Sequence, residues 1–147
     1  MNLFEPPPEP HTKARSIAWM AVAVLALAGV YLFWMLRYYP EKQAAKRFFE
    51  AVAAGDMNRA YQIWKPGPSY TMQDFLADWG PNGYYGPVKS FEIDSTAAPR
   101  GGSGVVVAVK VSPFSPFPST EDAGKNSRTR LVRIWVESKD KSLTFPP

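Results

Sequence analysis

The sequence predicts an α+β chain: one N-terminal apolar helix, then three amphipathic helices, then an antiparallel sheet of about four strands. Residues 17–36, IAWMAVAVLALAGVYLFWML, contain no charged or strongly polar side chain. Between Pro40 and Trp79 apolar residues recur at helical spacing, and from Gly83 onward they alternate. Helices gathered ahead of strands indicate an α+β arrangement with the helices on one face of the sheet.

About 20 helical residues at ~1.5 Å each reach ~30 Å, the thickness of a bilayer's hydrocarbon core. A soluble domain rarely tolerates so long an all-round apolar helix. Lys13 and Arg15 precede the run, Arg37 follows it, and Trp34, Tyr38 and Tyr39 sit where interfacial aromatics belong. A cleaved signal peptide would have an apolar region of about 7–15 residues ending at small residues, whereas LRYYPEK follows here. Residues 17–36 are therefore expected to be a single transmembrane helix. Ala18, Ala21, Ala28 and Gly29 fall within about 100° of arc on it, a face that permits close helix approach, although Leu25 interrupts the stripe.

Ahead of the span, residues 1–16 carry PPPEP. Proline fixes φ and lacks an N–H, so this tail is expected to be extended, polyproline-like and flexible. Behind the span, residues 37–147 are long enough for one domain with its own core.

Pro40 suits a first helical position and Glu41 the favourable first turn. Ala44, Ala45, Phe48, Phe49, Val52 and Ala53 then form one apolar stripe; Gly55 ends that helix and Asp56 caps the next. The second helix, 57–64, sets Met57, Ala60, Tyr61 and Trp64 on one face, and Lys65-Pro66-Gly67-Pro68 stops it. Thr71-x-x-Asp74, a capping-box variant, opens a third helix expected to bury Phe75, Leu76 and Trp79 before Gly80-Pro81. Strands are expected at 88–96, 105–112, 128–137 and 143–145. The second is apolar on both faces, like a central strand covered on both sides. The Pro/Ser-rich stretch 112–127 reads as a long functional or mobile loop.

Lys and Arg number 17 against 13 Asp and Glu, a net charge of +4, and the excess lies after the span. That suits anionic lipid or an acidic partner and is no nucleic-acid signature. With no cysteine, disulfides, thiol catalysis and Cys-ligated metal centres are excluded.

The run AAKRFFEAVAAGDMNRAYQIW, followed by MQDFLADWG and strands bearing VVVAVKV and RLVRIWVE, resembles the nuclear transport factor 2-like (cystatin-like) superfamily, and small bacterial membrane-anchored members in particular. The resemblance covers roughly residues 40–145. It implies a curved sheet wrapping the helices into a cone whose open end can hold a pocket. Some members are enzymes with Asp, His or Tyr inside the cone; others only bind or assemble.

The chain's one histidine is His11, ahead of the span, so histidine base chemistry and His-based metal binding are ruled out in the domain. Asp74 is explained as a cap. Asp78, near a helix C-terminus where a negative charge is mildly unfavourable, can form a carboxylate–phenol pair with Tyr70, Tyr84 or Tyr85. Arg128, Arg130 and Arg133, with Lys139 and Lys141, concentrate charge at one end of the sheet. They read as charge protecting an edge strand, or as a headgroup or acidic-partner contact.

The residues and the resemblance together imply a non-enzymatic, single-span interaction protein with no cofactor, an accessory subunit or adaptor of a larger membrane complex. The alternatives are an apolar-ligand-binding domain and a lyase- or isomerase-type enzyme. Expected partners are the bilayer and other membrane subunits, a small-molecule ligand in the second reading, and no nucleic acid. The expected location is the bacterial inner membrane with the domain exported.

Overall fold

The computed structural model describes residues 11–117 and 129–146, with side chains from Arg15 onward. The proline-rich stretch 1–10, most of the 112–127 loop and Arg128 lie outside the described residues. The chain divides into two compact units, the first ending at Arg37 and the second beginning at Tyr38.

The first unit is helix α1, His11–Leu36, of 26 residues. It starts before the apolar run, so residues 11–16 are helical and not part of an extended tail. Nothing between His11 and Ser16 breaks a helix, and the last proline of the tail is Pro10. From Arg15 to Leu36 every side chain is exposed. By length and composition the helix is apolar enough to cross a membrane.

The second unit is α+β. Helix α2, Tyr39–Ala53, carries proline in its first turn and buries Ala45, Phe48, Phe49, Ala51 and Val52. Its first-turn Glu41 is also buried. Gly55, at φ 76°, turns the chain out of α2, a conformation that glycine adopts without Cβ strain. The Asp56 side chain accepts from Arg59 N at 3.1 Å and caps helix α3, Met57–Trp64, which buries Ala60 and Trp64. Helix α4, Met72–Trp79, opens with the expected capping box between Thr71 and Asp74. It buries Phe75 and Trp79, but Leu76 is 40% exposed, contrary to expectation. Phe75 and Trp79 stand four apart on one face, and Leu76 lies ~100° round the helix from Phe75.

Four strands, β1 Ser90–Ala97, β2 Gly104–Ser112, β3 Arg130–Glu137 and β4 Leu143–Thr144, form an antiparallel meander in that order. An irregularity between Ile93 and Ser95 breaks the register of β1 on β2, the kind of device that bends a strand locally. Val105, Val107, Val109 and Val111 of β2 join Val132, Ile134 and Val136 of β3 in the core with the helices. Helix α2 touches β1, β2 and β3, and α3 touches β4.

The opposite face of β2 is not covered by a second helix layer among the described residues, as its apolar run had implied. Val106 is half-buried beside its cross-strand partner Trp135, and the Trp135 indole leaves no room for a side chain at Gly104. Further along that face Lys110 pairs with Asp94 at 2.5 Å.

Aromatic rings occupy the space between helices and sheet. Phe48 meets Phe49 at 5.1 Å, Trp64 at 5.0 Å, Phe75 at 6.2 Å and Trp79 at 5.0 Å. Trp79 in turn stacks on Tyr85 and Phe145. Such contacts contribute about 0.5–1.5 kcal/mol each beyond burial, so the centre of this domain is a packed core.

Candidate functional site

Helix α4 brings together the pair the sequence singles out. Tyr70, just before the N-cap, donates its hydroxyl to Asp78 Oδ2 in the last turn at 2.6 Å. Both side chains are half-buried. The Tyr70 carbonyl accepts from Tyr61 Oη at 2.8 Å, fixing the segment between α3 and α4. Burial first, then the hydrogen bond and charge of Asp78, push the Tyr70 phenol well above the usual tyrosine range. A phenol so held stays protonated and donates to the Asp78 carboxylate. The bond joins the two ends of an eight-residue helix, and that is the role the geometry supports for it.

After α4 the chain folds back on the helix end. Tyr84 N donates to Ala77 O at 2.9 Å and Tyr85 N to Asp78 O at 2.8 Å. A side chain at Gly86 would run into the Gly80 carbonyl, so the reversal needs glycine there. This geometry separates the remaining tyrosines from Asp78's carboxylate pairing. Tyr84 is exposed, while Tyr85 stacks on Trp79 at 4.8 Å. Burial first, then neighbouring Tyr84 and Asp78, raise the Tyr85 phenol above its ordinary value.

Arg130 and Arg133 do not form one cluster. Arg130 sits at the start of β3, and its guanidinium donates to Tyr84 O at 2.8 Å, holding the reversed loop against the sheet. Arg133, three positions on, falls on the other face by strand alternation: Val132 and Ile134 are buried and Arg133 is exposed. Lys139 lies in the turn after β3 and Lys141 is engaged with Glu41. Because β4 pairs only with Trp135 and Val136, the first half of β3, Arg133 included, has no strand partner on that side among the described residues. Charge on such a stretch opposes edge-to-edge association.

Among the clefts on the domain, two bear on the residues discussed above. One, of about 300 Å³, is lined by Tyr85, Gly86, Pro87, Val111, Ser112, Pro113 and Arg130. The other, of about 380 Å³, runs between α2 and α3 and is lined by Ala44, Arg47, Arg59, Gln62, Ile63, Lys65 and Lys141. Neither includes Tyr70 or Asp78. The second cleft was missed by sequence reasoning, because its cations come from α2, α3, the α3 C-cap and the last turn. The local signal available was weak: Ala44 and Arg47, and Arg59 and Gln62, each stand three apart on one helix face. No cluster of three or more His, Cys, Asp or Glu able to hold a metal ion occurs among the described residues.

In the first unit, Ala18, Ala21, Ala28 and Gly29 are exposed on α1. The larger Leu27, Val30, Tyr31, Trp34 and Met35 line a shallow groove on that helix. Leu27, Val30 and Trp34 lie on the side away from the small residues, while Met35, seven positions after Ala28, borders them.

Compared with known proteins, the chain matches no family model, no curated protein and no solved structure.

Proposed function

We propose that this chain is a non-enzymatic, membrane-anchored interaction protein of the nuclear transport factor 2-like superfamily, serving as accessory subunit or adaptor of a larger membrane complex. The observation that carries this reading is α1, whose side chains from Arg15 to Leu36 are all exposed and almost all apolar. One apolar helix satisfies its backbone alone but offers lipid and other helices its whole surface, and the Ala18, Ala21, Ala28 and Gly29 face allows close approach. The proposed location is the bacterial inner membrane with the domain on the exported side, as is usual for short-tailed N-terminal anchors.

The domain supports binding more than catalysis. Asp78, the carboxylate best placed for proton abstraction, already accepts from Tyr70, and aromatic rings fill the core beside it. A second reading, capture of a small ligand, is favoured by the cleft beside Tyr85 and Arg130. Co-purification from gently solubilised membranes tests the first reading. Partners should be retained by Asp78→Asn and released when Ala21 and Ala28 are both enlarged to Leu. Loss of function in Asp78→Asn with the complex intact would sink it.

A further inference from the structure

The cleft between α2 and α3 is the most charged feature of the domain, and the Tyr70–Asp78 pair takes no part in it. Four of its lining residues, Arg47, Arg59, Lys65 and Lys141, are cationic and none is acidic. Ala44 and Ile63 supply apolar wall and Gln62 an amide.

The carboxylates nearby are committed elsewhere. Glu41 is buried and accepts from Lys141 Nζ at 2.7 Å. Asp56 caps α3 through Arg59 N, Glu50 pairs with Lys46, and Asp140 accepts from Ser142 N and Oγ at 3.0 and 2.8 Å. Among the described residues neither the Arg47 nor the Arg59 guanidinium has an ion pair. Two planar donor forks thus border one concavity with no internal anion to satisfy them.

The backbone fixes where two of the lining lysines stand. Among the described residues only Lys65 and Lys141 combine a side chain with positive φ, at 51° and 59°. Both line this cleft. They are also tied together, for Lys65 Nζ donates to the carbonyl of Asp140, the residue before Lys141. Lysine occupies left-handed backbone at some steric cost, where glycine would fit freely. At Lys65 the left-handed residue is the C-cap that ends α3.

From this arrangement we propose that the α2–α3 cleft binds a phosphate group, with Arg47 and Arg59 as its bidentate ligands and Lys65 as supporting charge. Guanidinium forks match phosphate oxygens in pairs, and lysine adds point charge. The chemistry is shared by a phospholipid headgroup and a soluble phosphorylated molecule. Headgroups are an available source if α1 enters a bilayer, and the two probes below distinguish the sources.

The test uses the full-length chain in neutral maltoside micelles at low salt, titrated with dihexanoyl phosphatidylglycerol in one arm and inorganic phosphate in the other. Binding is read by calorimetry. At least one probe should bind saturably, and the double variant Arg47→Gln/Arg59→Gln should weaken it by tenfold or more. Lys46→Gln, on α2 but outside the cleft, should leave affinity unchanged. Circular dichroism and melting of each variant confirm folding, which two exposed arginines do not control. Saturation by the lipid alone assigns the headgroup as source, and saturation by inorganic phosphate assigns a soluble ligand. No saturable binding of either probe overturns the proposal, as does equal loss in Lys46→Gln. Binding of a glutamate-rich peptide in place of both probes also overturns it, making an acidic protein segment the occupant. All these outcomes are independent of whether the chain co-purifies with partners.

Discussion

Lys141 Nζ and Glu41 Oε1 meet at 2.7 Å across one hundred residues of sequence, joining the turn after β3 to the first turn of α2. The Glu41 side chain is 8% exposed and that of Lys141 34%. The other oxygen, Glu41 Oε2, is buried and has no protein partner. Removing the lysine therefore leaves a mostly buried carboxylate without compensation. Lys141→Ala should destabilise the domain by about 1–3 kcal/mol, while Lys139→Ala, in the exposed turn nearby, should change stability by less than ~0.5 kcal/mol. Urea unfolding of the two variants side by side checks the difference.

The aromatic core and the exposed α4 leucine make a paired prediction. Phe48 is fully buried among four aromatic neighbours, so Phe48→Ala should cost about 3–5 kcal/mol. Leu76 is 40% exposed, and Leu76→Ala should stay below ~1 kcal/mol. Equal losses would mean that α4 is rotated from the orientation described.

Stability should fall off at both ends of the pH scale. Asp74, bonded to Thr71, Asp94, bonded to Lys110, and Asp140, bonded to Ser142, are all held below the ordinary aspartate value of 3.8. Their contribution is present above that value and is lost as pH falls through the depressed folded ones. Tyr70 behaves oppositely: burial and Asp78 raise it above 10.0, so its contribution is intact below pH ~10 and is lost as pH climbs toward the folded value. Melting temperature against pH should show a plateau between these limbs. Tyr70→Phe should flatten the alkaline limb and cost about 1–2 kcal/mol at neutral pH.

Much of this fold was legible locally. The apolar run of α1, the Thr71–Asp74 box, Gly55 and the alternation of Val132, Ile134 and Val136 each follow from short-range periodicity or capping chemistry. The candidate site was legible only in part. Tyr70, just ahead of α4, and Asp78 in its last turn, eight residues on, were foreseeable as partners. Glu41 looked like an exposed first-turn acid because the lysine that buries it lies one hundred residues away. Arg130 and Arg133 looked like one patch because proximity in sequence hides a period of two, which sends them to opposite faces. The α2–α3 cleft was hidden for the same reason as Glu41: its cations meet only after the chain closes.

The anchor should respond to charge at its centre. Leu27→Arg places a cation midway along the apolar run, costing roughly 2.5–3.5 kcal/mol of insertion free energy. Fractionation should show the full-length variant leaving the membrane pellet. A chain beginning at Pro40 should be soluble and fold cooperatively, and its aggregation would contradict the independence of the second unit.

Assembly at the membrane is the central claim, and native mass spectrometry of the full-length chain released from its own membranes in mild detergent tests it most directly. The account predicts a stoichiometric complex with other membrane proteins, lost on replacing Ala21 and Ala28 by Leu while the domain stays folded. A lone monomer or homodimer carrying a bound small molecule would contradict it and favour the ligand-binding reading.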